Sequence, residues 1–164
     1  MTTEDPDLAE HAGRALLRRG WRLVSVESCT GGLLAATLTD IPGASDWFEG
    51  AFVTYRLSAK TAMVGVDAGL LDRHGAVSEP VARAMAEGAL ANCDADIAVS
   101  ITGIAGPDGG DVLDPVGTVW FGWALREDGT VHCAQTAEHH LSGSRQMVRE
   151  EAVRVALSGV IELC

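Results

Sequence analysis

The chain has 164 residues, 47% of them hydrophobic and 21% charged, which fits one folded domain with a core of its own and excludes a disordered segment. Its formal net charge of -11 argues against nucleic acid as a partner, since duplex binding runs on Lys and Arg meeting phosphates. No apolar run is long enough to span a bilayer, and no secretory signal precedes the first helical pattern, so a cytoplasmic protein with no membrane partner is expected.

Leu8, Ala12, Ala15 and Leu16 recur at helical spacing, and Gly20 stops that helix. Trp21 to Val26 reads as a strand. It runs into Glu27-Ser28-Cys29-Thr30-Gly31-Gly32 and then the Ala- and Leu-rich stretch from Leu33 to Leu38, the pattern of strand, tight turn and helix. Phe48 to Tyr55 reads as a second strand and Lys60 to Val64 as a short helix ended by Gly65. Ser78-Glu79-Pro80 opens a helix to about Ala91, with a hydroxyl N-cap followed by an early carboxylate and proline.

Ile97 to Ile101 is nearly all apolar, as strands buried on both faces are. A glycine-rich loop, Thr102 to Gly110, follows it. Val116 to Leu125 and Thr130 to Ala137 form a hairpin around Glu127-Asp128-Gly129. A last helix opens near Ser144. Helices before, between and after the strands imply an α/β fold whose sheet is covered on both faces, and the hairpin makes that sheet mixed.

The four cysteines form no C-x-x-C pair and read as reduced thiols. The five histidines lack metal-ligand spacing, so no metal is expected. The basic residues carry one oddity. Of 12 Lys+Arg only Lys60 is lysine, and the single tyrosine, Tyr55, lies five positions before it. Lysine loses its proton when desolvated, whereas arginine does not, and a nearby phenol passes or holds a proton. The plain alternative is that both survived compositional drift.

Ser28, delivered by a strand to a helix N-terminus, sits where unpaired N–H groups and the helix dipole favour an oxyanion. A simple N-cap serine fits the same pattern. The Thr102–Gly110 loop is either a ligand rim at the carboxyl end of a strand or a wide turn. Arg145, beside Ser142, Gly143 and Ser144, is either a phosphate partner or a solvated arginine. A serine and a neutral lysine brought together form a known amide-hydrolysing pair.

Taken together, Glu27-Ser-Cys-Thr-Gly-Gly32, Gly50-Ala-Phe-Val-Thr-Tyr55 with Ala59-Lys60, Gly75-Ala-Val-Ser-Glu-Pro80, Thr102-Gly-Ile-Ala-Gly-Pro-Asp-Gly-Gly110 and Pro115-Val-Gly-Thr118 resemble the CinA C-terminal domain family. The enzymatic members of that family are nicotinamide-nucleotide amidohydrolases. The resemblance covers nearly the whole chain and implies one domain over residues 1–164, a three-layer α/β/α fold with a mixed sheet of about five strands. It implies hydrolysis of nicotinamide mononucleotide to nicotinate mononucleotide and ammonia, without metal or cofactor, in pyridine-nucleotide salvage. By the same carry-over Ser28 is the nucleophile, and Lys60 and Tyr55 handle its proton and that of the departing amine. Thr102, Arg145 and Thr30 contact the substrate, and Gly31 and Gly32 offer backbone N–H groups to the developing oxyanion.

Two departures from the family pattern stand out. Arg56-Leu57-Ser58 replaces a Ser/Thr-Asn-acidic stretch, and Gly143-Ser144-Arg145 replaces Gly-Asp-Arg. The first leaves two alternatives open, a non-catalytic nucleotide-binding module and a hydrolase of a different amide. The family name adds a third, a structural partner in a competence or DNA-damage response. Self-association into a homo-oligomer is left open.

Overall fold

The computed structural model describes residues 5–164, with side chains from Leu8 onward. Five strands form one sheet in the order β2-β1-β3-β4-β5. These are β1 (Leu23–Glu27), β2 (Phe48–Val53), β3 (Ile97–Gly103), β4 (Thr118–Glu127) and β5 (Thr130–His140). β1 pairs in parallel with both β2 and β3, while β3/β4 and β4/β5 are antiparallel. The mixed sheet expected from the hairpin is the one observed.

The helices are α1 (Asp5–Arg19), α2 (Leu33–Thr39), α3 (Leu57–Val64), α4 (Ala68–His74), α5 (Glu79–Ala91) and α6 (Arg145–Leu163). Alternation along the strands assigns them to faces. Leu23, Ile97, Val99, Ile101, Phe121 and Trp123 pack with Leu16 of α1, Leu34 of α2 and Ala152 of α6. Val24, Val26, Ala98 and Ala124 point the other way, against Val64 of α3, Leu71 of α4 and Met85 and Ala89 of α5. The result is three layers, α/β/α. Among the described residues no helix is long and apolar enough to cross a membrane.

Several boundaries differ from the sequence reading, for local reasons. Trp21 lies outside β1, because its amide bonds back to Leu16 as the chain leaves α1. β3 runs two residues past Ile101, because Thr102 and Gly103 still pair with Trp120 and Val119. Helix α4 was not foreseen. It is a two-turn element opened by Asp67, whose carboxylate accepts from the Gly69 amide at 2.8 Å. Ser78 stands at the N-cap of α5, but its hydroxyl donates to the Gly75 carbonyl and caps nothing. Ser144 does cap α6, accepting from the Met147 amide. The hairpin turns on Asp128 and Gly129, both at positive φ, the backbone that matches the twist of two paired strands.

Parallel pairing is what builds the site. Glu27 stands opposite both Val53 and Ile101, so β1, β2 and β3 end together. The pairing carries on for one residue beyond. The Ser28 amide donates to the Ile101 carbonyl, and the Thr54 amide donates to the Glu27 carbonyl. Ser28 is thus the central group at the carboxyl edge of three adjacent strands, where open α/β sheets take ligands.

Candidate active site

At that edge lies a cleft of about 690 Å³, within the size range of small-ligand sites. Ser28, Cys29, Tyr55, Arg56, Lys60 and Arg145 are among its walls, with the Thr102–Gly106 segment and Asp108 opposite. The lysine and the serine meet. Lys60 Nζ lies 2.9 Å from Ser28 Oγ across 32 positions of sequence. Helix α3 begins at Leu57 and carries Lys60 on its first turn, facing back onto the strand ends.

Lys60 is 1% exposed, and its remaining neighbours at Nζ are two main-chain carbonyls, Thr54 at 2.6 Å and Tyr55 at 3.3 Å. This set fits an uncharged amine. Two N–H bonds serve the two carbonyls, and the lone pair is left for the Ser28 hydroxyl, which then donates to it. Burial lowers the Lys60 pKa from 10.5 to about 8, opposed only by its attraction to Cys29. Among the described residues no carboxylate pairs with it. Lys60 is therefore an amine that loses its proton more readily than a solvated lysine does.

The cysteine beside the serine does not compete as nucleophile. Burial pushes the Cys29 thiol up to about 11, so it stays protonated at neutral pH. Ser28, hydrogen-bonded to the Lys60 amine, is free of that competitor.

Other residues marked in the sequence hold contacts within the protein. Tyr55 is 58% exposed, and its phenol oxygen accepts from Arg145 Nη2 at 3.1 Å. Its contact with Lys60 runs through its carbonyl and not through its hydroxyl. Both groups still line the cleft. Arg145 also donates to the Gly106 carbonyl at 2.7 Å, tying the start of α6 to the glycine-rich loop. Thr102 lines the cleft, with its hydroxyl donating to the Ala76 carbonyl at 2.8 Å.

The expected role of Gly31 and Gly32 needs correcting. Their amides are already engaged, Gly31 N–H with the Ser28 carbonyl and Gly32 N–H with Glu27 Oε1. Thr30 is fully buried, and its hydroxyl also donates to Glu27 Oε1 at 2.8 Å. The acceptor responsible is Glu27, which in the sequence stood out only as part of a motif. It is buried at the end of β1, where it takes the Leu34 and Ala35 amides and the Ser25 hydroxyl as well. Its carboxylate serves as the N-terminal cap of α2, favoured there by unpaired N–H groups and the helix dipole.

Two arginines were also missed. Arg149, one turn beyond Arg145 on α6, donates to the Cys29 carbonyl at 3.1 Å and the Thr30 carbonyl at 3.0 Å. Arg56 lines the cleft, exposed, with no acceptor for its guanidinium among the described residues. Its place directly after Tyr55 was the available signal. Nothing in the sequence marked Arg149 beyond its helical spacing from Arg145.

A serine with a buried amine at the strand ends of a three-layer α/β sheet is the arrangement of a covalent hydrolase that works without histidine. The chain belongs to the CinA C-terminal domain family, whose sequence model matches residues 5–164. It is 51% identical over 150 residues to the nicotinamide-nucleotide amidohydrolase PncC of Escherichia coli strain K12, covering 92% of this chain and 88% of that protein. It is 49% identical over 151 residues to the protein of the same name from Enterobacter agglomerans, covering 92% of this chain and 90% of the other. Among solved structures, the competence/damage inducible protein CihA from Agrobacterium tumefaciens superposes with a TM-score of 0.92. That structure is 38% identical, and the match covers 99% of this chain and 97% of the other.

Proposed function

We propose that this protein hydrolyses the carboxamide of nicotinamide mononucleotide to nicotinate mononucleotide and ammonia, with Ser28 as nucleophile and Lys60 as base. The observation that carries the reading is the contact between Lys60 Nζ and Ser28 Oγ, in a chain about half identical to named nicotinamide-nucleotide amidohydrolases. Neutral Lys60 takes the Ser28 proton as Oγ attacks the amide carbon. The resulting ammonium gives that proton to the leaving nitrogen, and ammonia departs from an acyl-serine. Lys60, neutral again, then activates water at the same position to release the carboxylate. One titrating group serves both halves.

The rest of the nucleotide is anionic, and the cleft walls are suited to it. Arg56 and Arg145 face it against the single carboxylate of Asp108. Arg145, steadied by the Tyr55 phenol and the Gly106 carbonyl, offers a planar fork for phosphate, and Arg56 adds a second one. Thr102 completes the wall beside the glycine-rich loop.

Ammonia release from the nucleotide by purified protein tests the reading directly. Wild type should liberate one ammonia per nicotinate mononucleotide formed, and Ser28→Ala and Lys60→Ala should not. Absence of ammonia from wild type, or undiminished release by either variant, overturns it. Leu57, half-exposed on the cleft wall, favours one second reading, the same chemistry on an amide with more apolar surface. A panel of carboxamides in the same assay separates the two.

A further inference from the structure

Amide hydrolysis passes through an oxyanion that needs hydrogen-bond donors, and the two glycine amides expected to supply them are occupied. The Leu33 amide is taken too, by the Thr30 carbonyl, and those of Leu34 and Ala35 by Glu27. In this turn the amides of Cys29 and Thr30 take no other residue as acceptor among the described residues; Thr30 is fully buried away from the cleft, whereas Cys29 borders it, its amide beside its own thiol.

We propose that Arg149 is a positioning residue that holds the peptide groups of the Ser28 turn so that the Cys29 amide faces the oxyanion. The inference rests on the amide-hydrolysis reading above. In a trans peptide, C=O and the following N–H point in opposite directions. Arg149 Nη2 draws the Thr30 carbonyl to itself, which sends the Gly31 amide the other way, onto the Ser28 carbonyl. The Gly31 amide does the same to the Ser28 carbonyl, and so to the Cys29 amide. Arg149 Nε on the Cys29 carbonyl fixes the peptide between Cys29 and Thr30 and gives the guanidinium two points of attachment. Ser28 and Cys29 border the cleft and Arg149 does not, so Arg149 works from behind the turn. A cation on a carbonyl also polarises the N–H of the same peptide, which strengthens the bond it donates. Arg149 and Arg145 thus divide the first turns of α6 between them, one serving the turn and the other the cleft.

The test compares wild type with Arg149→Lys, Arg149→Met and Arg149→Gly by two routes. The first is steady-state ammonia release. The second is the rate at which a fluorophosphonate labels Ser28, read by mass spectrometry; here Ser28 Oγ forms an O–P bond with loss of fluoride, and the phosphoryl oxygen needs the same donor. Loss of oxyanion alignment should lower kcat and the labelling rate together, by roughly 100-fold in Arg149→Met and less in Arg149→Lys. KM should stay within about threefold, and the midpoint of the pH profile should not move. Guanidinium ion added to Arg149→Gly should restore part of both rates. A raised KM with kcat unchanged, labelling as fast as wild type in Arg149→Met, or no rescue of Arg149→Gly overturns the proposal, as does a wild type that takes no label at Ser28. If wild type is labelled but releases no ammonia, the amide reading fails, and the labelling rates still decide the role of Arg149.

Discussion

Lys60 Nζ and Ser28 Oγ stand 2.9 Å apart, with the lysine's other two contacts supplied by main-chain carbonyls and none by a carboxylate among the described residues. A protonated Lys60 would be a buried cation without a counter-charge. Burial accordingly lowers its pKa to about 8. At pH 7 about a tenth of the side chain is then neutral, against roughly one part in three thousand at the ordinary value of 10.5. If Lys60 is the base, its neutral form is the working form, and kcat/KM should rise with pH through a midpoint near 8 and level off above it. Lys60→Arg, which cannot deprotonate, should lose about 10²–10⁴ in rate and lose the inflection too. An unchanged profile in that variant would remove Lys60 from the mechanism.

Tyr55→Phe separates two uses of the phenol. The substitution leaves the Tyr55 carbonyl on Lys60 and takes away the acceptor of Arg145 Nη2. Loss of one such bond is worth about 1 kcal/mol, so KM should rise about threefold to tenfold with kcat nearly kept. Were turnover instead to drop by about 100-fold, the phenol would be a proton carrier.

Arg56→Ser tests the second guanidinium of the cleft. If Arg56 meets the nucleotide phosphate, KM should rise about tenfold, and the gap from wild type should narrow as salt is added. Nicotinamide lacking ribose and phosphate should be bound equally by both proteins. Equal KM values for the nucleotide would place Arg56 outside the phosphate site.

Gly88→Ala probes the support beneath Lys60. A Cβ at Gly88 would fall well inside van der Waals contact with the carbonyl of Val64, the last residue of α3. A backbone obstacle cannot swing away, so α3 and α5 must separate. Overpacking of this kind costs about 1–3 kcal/mol, which denaturant unfolding will register. Because α3 carries Lys60, activity should fall by more than the unfolded fraction explains.

The legible part of this protein was local. Periodicity and turn residues predicted all five strands and five of the six helices, each to within a few positions. Helix α4 escaped because two turns of Ala-Gly-Leu-Leu carry little amphipathic signal without the core they cover. Solitary Lys60 and Tyr55 marked a reactive segment, and the motif set pointed to the family that the comparisons bear out.

What residue order alone determined was which reactive groups exist and on which strand end, helix or loop each stands. Which of them touch was decided by tertiary structure, through the parallel register that ends β1, β2 and β3 at one level and folds α3 back over them. The same holds for the turn amides. A hydrogen bond is owned by whichever acceptor packing brings nearest, so Glu27 took Gly32 and Arg149 took the Cys29 carbonyl from 120 positions away. Chain order encodes chemistry and local shape; distances between remote side chains come into being only when burial and strand pairing close the sheet.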